Sequence, residues 1–219
     1  MTPPLASGRE ARPVVVIGGA GFIGSNLADA LLSDGREVIL VDNLSRAGVE
    51  ENLSSLEEKH GGRVHRLIAD VRDLAAIEGA IADAGAVFHF AAQTAVTTSL
   101  VTPLDDFEVN ARGTINVLEA ARRTGRRVPV IFSSTNKVYG GLEDIELVRL
   151  DDRYIPADAD LRAHGVGETR PLDFCTPYGC SKGAADQYVL DYAKSFDLPA
   201  AVLRLSCIYG PRQFGTEDQ

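Results

Sequence analysis

The chain has 219 residues, 45% of them hydrophobic and 24% charged, the balance of a globular protein long enough to bury a sizeable core. Its net charge of −9 lacks the positive footprint that nucleic-acid binding needs and disfavours docking to anionic membranes. At roughly 150 residues per domain this length corresponds to about one and a half domains, and its apolar runs fall short of the ~18 residues that span a bilayer.

Residues 1–12 carry Pro3, Pro4, Gly8, Arg9, Glu10 and Arg12 with no apolar stretch, so a short disordered lead is expected there, not a secretory signal. Residues 13–17 form a β-branched run that halts at glycines, which predicts a buried strand. A glycine turn at 18–24 leads into a helix over 22–33, with Ile23, Leu27, Ala30 and Leu31 at helical spacing and Gly35 as its stop. Strands are predicted at 37–41, 64–68, 86–90, 128–132 and 200–205. Helices are predicted at 74–84, with Asp73 as N-cap, at 104–123 and at 177–196. Strands alternating with helices of this length imply right-handed crossovers and a parallel sheet covered on both faces, a doubly wound α/β fold with at least six strands. Only residues 140–173, with Asp151, Asp152, Asp158, Asp160, Gly165 and Gly167, show no clean period, and they read as a substrate loop or a solvated insertion. The three cysteines, Cys175, Cys180 and Cys207, are odd in number and lack zinc-type spacing, as expected of reduced thiols in a cytoplasmic protein.

Two overlapping patterns occupy the glycine turn: Gly19, Gly21 and Gly24 spell G-x-G-x-x-G, and Gly18, Gly21 and Gly24 spell G-x-x-G-x-x-G. Between a strand and a helix, such a turn lets backbone approach a pyrophosphate at the helix N-terminus. Asp42 ends the second strand, where a carboxylate accepts both adenosine ribose hydroxyls and repels a 2′-phosphate, favouring NAD over NADP; Arg46 nearby pulls the other way. Asp70, after the third strand, is placed to reach the adenine edge together with the Val71 backbone, or serves as a turn residue. Tyr178 and Lys182 stand four apart on a predicted helix and share one face, where an ammonium would lower the phenol's pKa toward neutrality and make it a general base for a sugar hydroxyl. Ser133, Ser134 and Thr135 follow the fifth strand into the ligand crevice and are candidates to orient that hydroxyl. His89 lies inside the fourth strand and reads as a core histidine.

Taken together, the Gly18/Gly21/Gly24 turn, Asp42, Ala91-Ala92-Gln93, Asn110, Thr135, Tyr178 and Lys182 resemble the extended short-chain dehydrogenase/reductase family, which includes the NAD-dependent nucleotide-sugar epimerases and dehydratases. Narrower strings, FHFAAQTAVTTSL at 88–100, STNKVYG at 134–140, PLDFCTPYGCSKGAADQYV at 171–189 and SCIYGPRQFGTEDQ at 206–219, resemble the CDP-paratose 2-epimerases that form CDP-tyvelose. The resemblance implies that Tyr178 is the proton acceptor and donor, that Lys182 binds the nicotinamide ribose and tunes the tyrosine, and that Thr135 hydrogen-bonds the sugar. It implies an NAD shell of Gly18, Gly21, Phe22, Ile23, Gly24, Asp42, Asn43, Ser45, Asp70, Val71, Ala91, Ala92, Gln93, Asn110 and Ser133 with Tyr178 and Lys182. Gln93, Thr98 and Ser99 match positions that hold substrate or cofactor.

Two departures stand out. Ile17 precedes the first motif glycine where the family often has threonine, and Asn136-Lys137 follow Thr135 where the 4,6-dehydratases carry Asp-Glu. Water elimination needs those two carboxylates, so epimerisation or simple reduction is left. The expected reaction is inversion at C2 of a CDP-linked dideoxyhexose through a transient 2-keto sugar, with no metal. The alternatives are a UDP-sugar 4-epimerase and a non-catalytic NAD-binding protein, because the C-terminal substrate-binding portion of such proteins is expected to be largely absent from residues 13–219. The resemblance also implies a homodimer built from the helices at 104–123 and 177–196.

Overall fold

The computed structural model describes residues 12–215, so the expected N-terminal lead lies, apart from Arg12, outside the described residues. In chain order the elements are β1 (Val14–Ile17), α1 (Phe22–Ser33), β2 (Val38–Asp42), α2 (Val49–His60), β3 (Val64–Ile68), α3 (Leu74–Ile81), β4 (Ala86–His89), α4 (Val96–Val101) and α5 (Pro103–Phe107). A π-helical turn (Glu108–Arg112) then joins α5 to α6 (Gly113–Arg123), followed by β5 (Val130–Thr135) and a 3-10 turn (Asn136–Tyr139). The remainder is β6 (Leu147–Arg149), β7 (Tyr154–Pro156), α7 (Ala159–His164), α8 (Thr176–Ser195) and β8 (Ala200–Leu205).

Six strands form one sheet in the order β3-β2-β1-β4-β5-β8, every pairing parallel. This is the doubly wound, Rossmann-like fold, and the strand order reverses between β1 and β4. Alternation along β1 feeds two cores. Val14 and Val16 join Val38 and Leu40 under Ala28 and Leu32 of α1 and Val49, Leu53 and Leu56 of α2. Val15 and Ile17 join Val41, Val87, Val130 and Phe132 under α3, α6 and α8. Burial on both faces is why β1 and β2 are runs of valine, isoleucine and leucine without polar alternation.

Four local features differ from the sequence reading. Helix α2 was not expected, because its twelve residues are mostly charged or polar; Val49, Leu53 and Leu56, spaced i, i+4, i+7, are its buried apolar residues, with Asn52 buried beside them. The single helix expected at 104–123 is two helices joined through a π turn. Strand β5 runs three residues further than predicted, carrying Ser133–Thr135 into the sheet, while α3 stops at Ile81. Residues 140–173 are not wholly irregular: β6 and β7 make an antiparallel ribbon, and Asp158 caps α7 by accepting from Leu161 N at 2.8 Å.

Beyond β8 the chain folds back across α1. Asn26 and Asn52 donate to the carbonyls of Pro211 and Arg212, and the Arg212 guanidinium donates to Ser25 O at 2.8 Å and Asp29 at 3.0 Å. Lys59 and His60 of α2 meet the same Asp29 carboxylate. The Lys59 hydrogen bond, with those of His60 and the charge of Arg212, holds the Asp29 carboxyl down at about 2. A carboxyl depressed in the folded state stabilises the fold above its unfolded value near 3.8, and that contribution is lost as pH falls toward 2. Asp29→Asn is therefore expected to cost about 1 kcal/mol at pH 7, allowing for solvent screening of this partly exposed cluster. The difference in urea midpoint between the variant and the parent should shrink between pH 4 and pH 2.

Candidate active site

The glycine turn lies at the carboxyl end of β1, where the sheet order reverses. Gly18 takes φ +82°, and a Cβ on it would stand 2.5 Å from Ala91 N. A Cβ on Gly24 would stand 2.1 Å from Gly18 O, and one on Gly19 would meet Leu40 Cδ2 at 2.8 Å and Val16 O at 2.9 Å. These three glycines are required by the packing of the chain itself. Gly21 is different: the nearest atom to an added Cβ is Gly18 O, at 3.4 Å. It caps α1 with extended backbone and no side-chain hydrogen bond, and the first turn of α1 carries no acidic residue. The N–H groups of that turn and the bare surface of Gly21 therefore fit a pyrophosphate, with the positive end of the helix dipole behind it.

Asp42 supports this turn from the end of β2. Its Oδ2 accepts from Ala20 N at 3.0 Å and its Oδ1 from Leu44 N at 2.9 Å, which leaves each oxygen able to accept once more, as two ribose hydroxyls require. Arg46 reaches the Thr94 hydroxyl. Asn43 bridges the strand ends, donating to Asp70 Oδ2 and accepting from Ser45 N. Asp70 is drawn away from the expected adenine contact: Arg72 N, Nε and a terminal guanidinium nitrogen, together with Asn43 Nδ2, fill all four of its acceptor sites. The paired Arg72 holds its carboxyl well below the usual carboxylate range. Val71 is buried against Gly113, and its carbonyl accepts from Asn116.

After β4, Ala91 N is tied to Ile17 O, which sets Ala91 and Ala92 beside the turn. Gln93 exchanges backbone hydrogen bonds with the Asn110 side chain at 2.9 and 3.0 Å, and its Oε1 is buried without a hydrogen-bond partner among the described residues. Asn110 sits in the π turn and also donates to Asp106 and Ser181. Ser99 does not face the crevice: it is fully buried and its hydroxyl donates to Val96 O within α4, while Thr98 stays half-buried on the same short helix. His89 is buried, hydrogen-bonded to Thr114 and kept neutral, its pKa pushed down to about 3 by burial and the nearby Lys182 charge.

Thr135 ends β5, its hydroxyl donating to Asn136 Oδ1 at 3.4 Å and accepting from Lys137 N at 3.2 Å, and Tyr178 stands in the first turn of α8. One turn further, Lys182 is fully buried, donates to Ser133 O at 2.6 Å, and lies 4.2 Å above the Phe132 ring. Burial pulls the lysine down to about 7 against the charges of Asp106 and Asp186. The phenol shifts opposite to the expected direction. Burial and the Asp106 charge raise it, outweighing the opposing pull of the Thr135 hydroxyl, while Lys182 is turned toward a backbone carbonyl. Ser133 Oγ is spent on His89 O, and Ser134 Oγ is buried and unpartnered among the described residues.

The sequence reading missed Asp106 and Ser181. Asp106 Oδ2 accepts a short hydrogen bond from Ser181, the residue before Lys182. The i, i+4 spacing of Asp106 and Asn110 was the available signal, hidden because Asp105 and Asp106 look like one solvated acidic pair.

Residues 14–219 match the NAD dependent epimerase/dehydratase family. The chain is 45% identical over 208 residues to the CDP-paratose 2-epimerase of Salmonella typhi, covering 94% of this chain and 60% of that protein. It is 36% identical to the UDP-glucose 4-epimerase of Mycolicibacterium smegmatis, covering 91% of this chain and 57% of that protein. Among solved structures, the Thermus thermophilus UDP-glucose 4-epimerase in complex with NAD superposes with a TM-score of 0.72 at 36% identity, over 92% of this chain and 57% of the other. The chain thus spans about three-fifths of the length of these relatives.

The glycine geometry separates two variants. Gly24→Ala is expected to destabilise the chain by about 2–4 kcal/mol, because its Cβ meets backbone. Gly21→Ala is expected to cost less than about 1 kcal/mol, the difference between glycine and alanine at an N-cap, in the same thermal or urea melts.

Proposed function

The chain belongs to the NAD dependent epimerase/dehydratase family, and from that premise we propose that it belongs to a nucleotide-sugar epimerase that inverts C2 of a CDP-linked dideoxyhexose, interconverting CDP-paratose and CDP-tyvelose. The observation that carries this reading is the placement of Thr135 at the end of β5 and of Tyr178 and the buried Lys182 in the first turns of α8, with Lys182 donating to Ser133 O of that strand at 2.6 Å. The choice of sugar rests on the 45% identity to a CDP-paratose 2-epimerase, against 36% to a UDP-glucose 4-epimerase. Asn136-Lys137, in place of a carboxylate pair, speaks against dehydration.

NAD fits the residues present. Gly21 and the first turn of α1 would hold the pyrophosphate, Asp42 would accept the adenosine ribose hydroxyls, and Asn43, Ser45 and the segment Ala91–Gln93 would line the remainder. When bound, NAD supplies reversible hydride removal and return at the sugar carbon, so the reaction has no net redox change. Tyr178 takes the proton of the C2 hydroxyl and gives it back after the sugar has turned over; Thr135 orients that hydroxyl. Lys182 spends one N–H on Ser133 O and keeps two for the nicotinamide ribose. Tyr178 takes that proton only as the phenolate, the negative charge that the nearby ammonium favours and that proton uptake then removes.

The reading extends to a homodimer. Leu100 and Val101 of α4 and Leu104 and Phe107 of α5 are exposed on this chain, beside α8, and form the apolar face that a second copy would cover. No helix among the described residues is long and apolar enough to cross a membrane, and Cys175, Cys180 and Cys207 are exposed free thiols, which suits a reducing cytoplasm.

In the full-length protein, Tyr178→Phe is expected to lower CDP-paratose turnover, followed by NMR at C2, by about 10²–10⁴-fold while NAD stays bound. Unchanged turnover would sink the assignment, and conversion of UDP-sugars at C4 in its place would favour the 4-epimerase. Gly21→Ala should keep the fold yet lose NAD, measured as dinucleotide released on denaturing the purified protein.

A further inference from the structure

Asp106 is fully buried, yet its neighbour Asp105 faces solvent and lies 4.0 Å from Arg72. A buried carboxylate is costly unless donors satisfy it, and here the donors are neutral: the Ser181 hydroxyl and Asn110 Nδ2 at 3.1 Å. Among the described residues no cation forms an ion pair with it; burial pushes its carboxyl up, and the Ser181 hydrogen bond and the charge of Lys182 pull it back.

The catalytic lysine has the complementary problem. Lys182 is buried, its only described hydrogen bond goes to the neutral carbonyl of Ser133, and an aromatic ring lies against it. Two carboxylates act on it, Asp106 from α5 and Asp186 one turn along α8. Asp186 is already neutralised, because Arg204 of β8 grips both its oxygens at 2.9 Å. Asp106 is therefore the uncancelled counter-charge. The other groups facing this space add nothing to it: His89 is neutral, Tyr178 is a phenol at rest, and α4 contributes no titratable side chain. Arg72 is committed to Asp70, and Glu108 of the π turn pairs with Arg112.

We propose that Asp106 is a positioning residue for the Tyr178–Lys182 pair: through Ser181 it fixes the turn of α8 that carries both, and its buried charge keeps Lys182 a cation. This rests on the reading of Tyr178 and Lys182 as the catalytic pair. Neutral asparagine could hold Asn110 and Ser181 equally well, since its amide oxygen accepts and its amide nitrogen donates; what the carboxylate adds is charge.

The test is Asp106→Asn in the full-length protein, read first without NAD. The chain has few lysines (Lys59, Lys137, Lys182 and Lys194), so ¹³C labelling at lysine Cε resolves the Lys182 titration by NMR. The expected result is a Lys182 midpoint about one pH unit lower in a variant that melts normally, with the Tyr178 phenol moving the same way. The pH profile of epimerisation should then move to the acid side on both limbs. An unmoved Lys182 midpoint in folded Asp106→Asn overturns the proposal. If that variant does not fold, Asp106→Ser takes its place and must lower the midpoint likewise, while Asp106→Glu, which retains the charge, must keep it; failure of either overturns the proposal. A displaced Lys182 titration alongside undiminished turnover by Tyr178→Phe would overturn the catalytic reading and leave the electrostatic one standing.

Discussion

The backbone of Gly18 rests directly on the backbone of Ala91, with no room between them for a single carbon. This contact joins the ends of β1 and β4, the two strands at which the sheet changes direction, and the crevice exists because they part immediately beyond it. Gly18 turns the chain back, Gly24 lets α1 close onto that turn, and Ala91 starts the loop that runs to Gln93 and Asn110. One steric constraint therefore places the anion-binding end of α1, the loop from β4 and, through Asn110, the start of α8. A side chain at Gly18 would disturb all three at once.

Around that frame the charges are sorted by burial. On the outer side, Asp29 and Asp70 are each held by basic partners and kept ionised. On the inner side, Asp186 is paired with Arg204, whose guanidinium also reaches the Tyr139 hydroxyl, and His89 is kept neutral. That leaves Lys182, with Asp106 opposite, as the unneutralised charge deep under the crevice. The outer carboxylates are closed by basic partners, whereas the two groups under the crevice are left open, the arrangement in which perturbed groups cluster at functional sites.

The sequence made the scaffold legible because β-branched runs buried on both faces leave little ambiguity, and because the glycine turn punctuates a strand and a helix. Thr135, Tyr178 and Lys182 stood out by spacing and family likeness, and the structure sets Thr135 at the end of β5 and the other two in the first turns of α8. Helix α2 was not, since its burial depends on three residues in twelve and its charged positions dominate any local average. Ser99 and Asp70 show the opposite failure. Their chemistry suits a ligand, but Ser99 turns its hydroxyl into its own helix and Arg72 saturates Asp70, outcomes set by side-chain rotamers that a linear pattern does not encode. The sense of the Tyr178 shift was hidden for a similar reason, because i, i+4 spacing brings Lys182 near the phenol but does not say that Ser133 O claims its ammonium.

The π turn at Glu108–Arg112 has an engineering consequence. One residue more than an α-helical turn requires shifts everything after it by about 100° around the helix axis. It lets a single helical path present Asp106 and Asn110 to α8 and yet direct Val117, Leu118 and Ala121 into the sheet core. Deleting one residue here would regularise the helix while swinging one of these two faces out of register. The segment is best understood as a phase adjuster, whose length is fixed even where its composition is free.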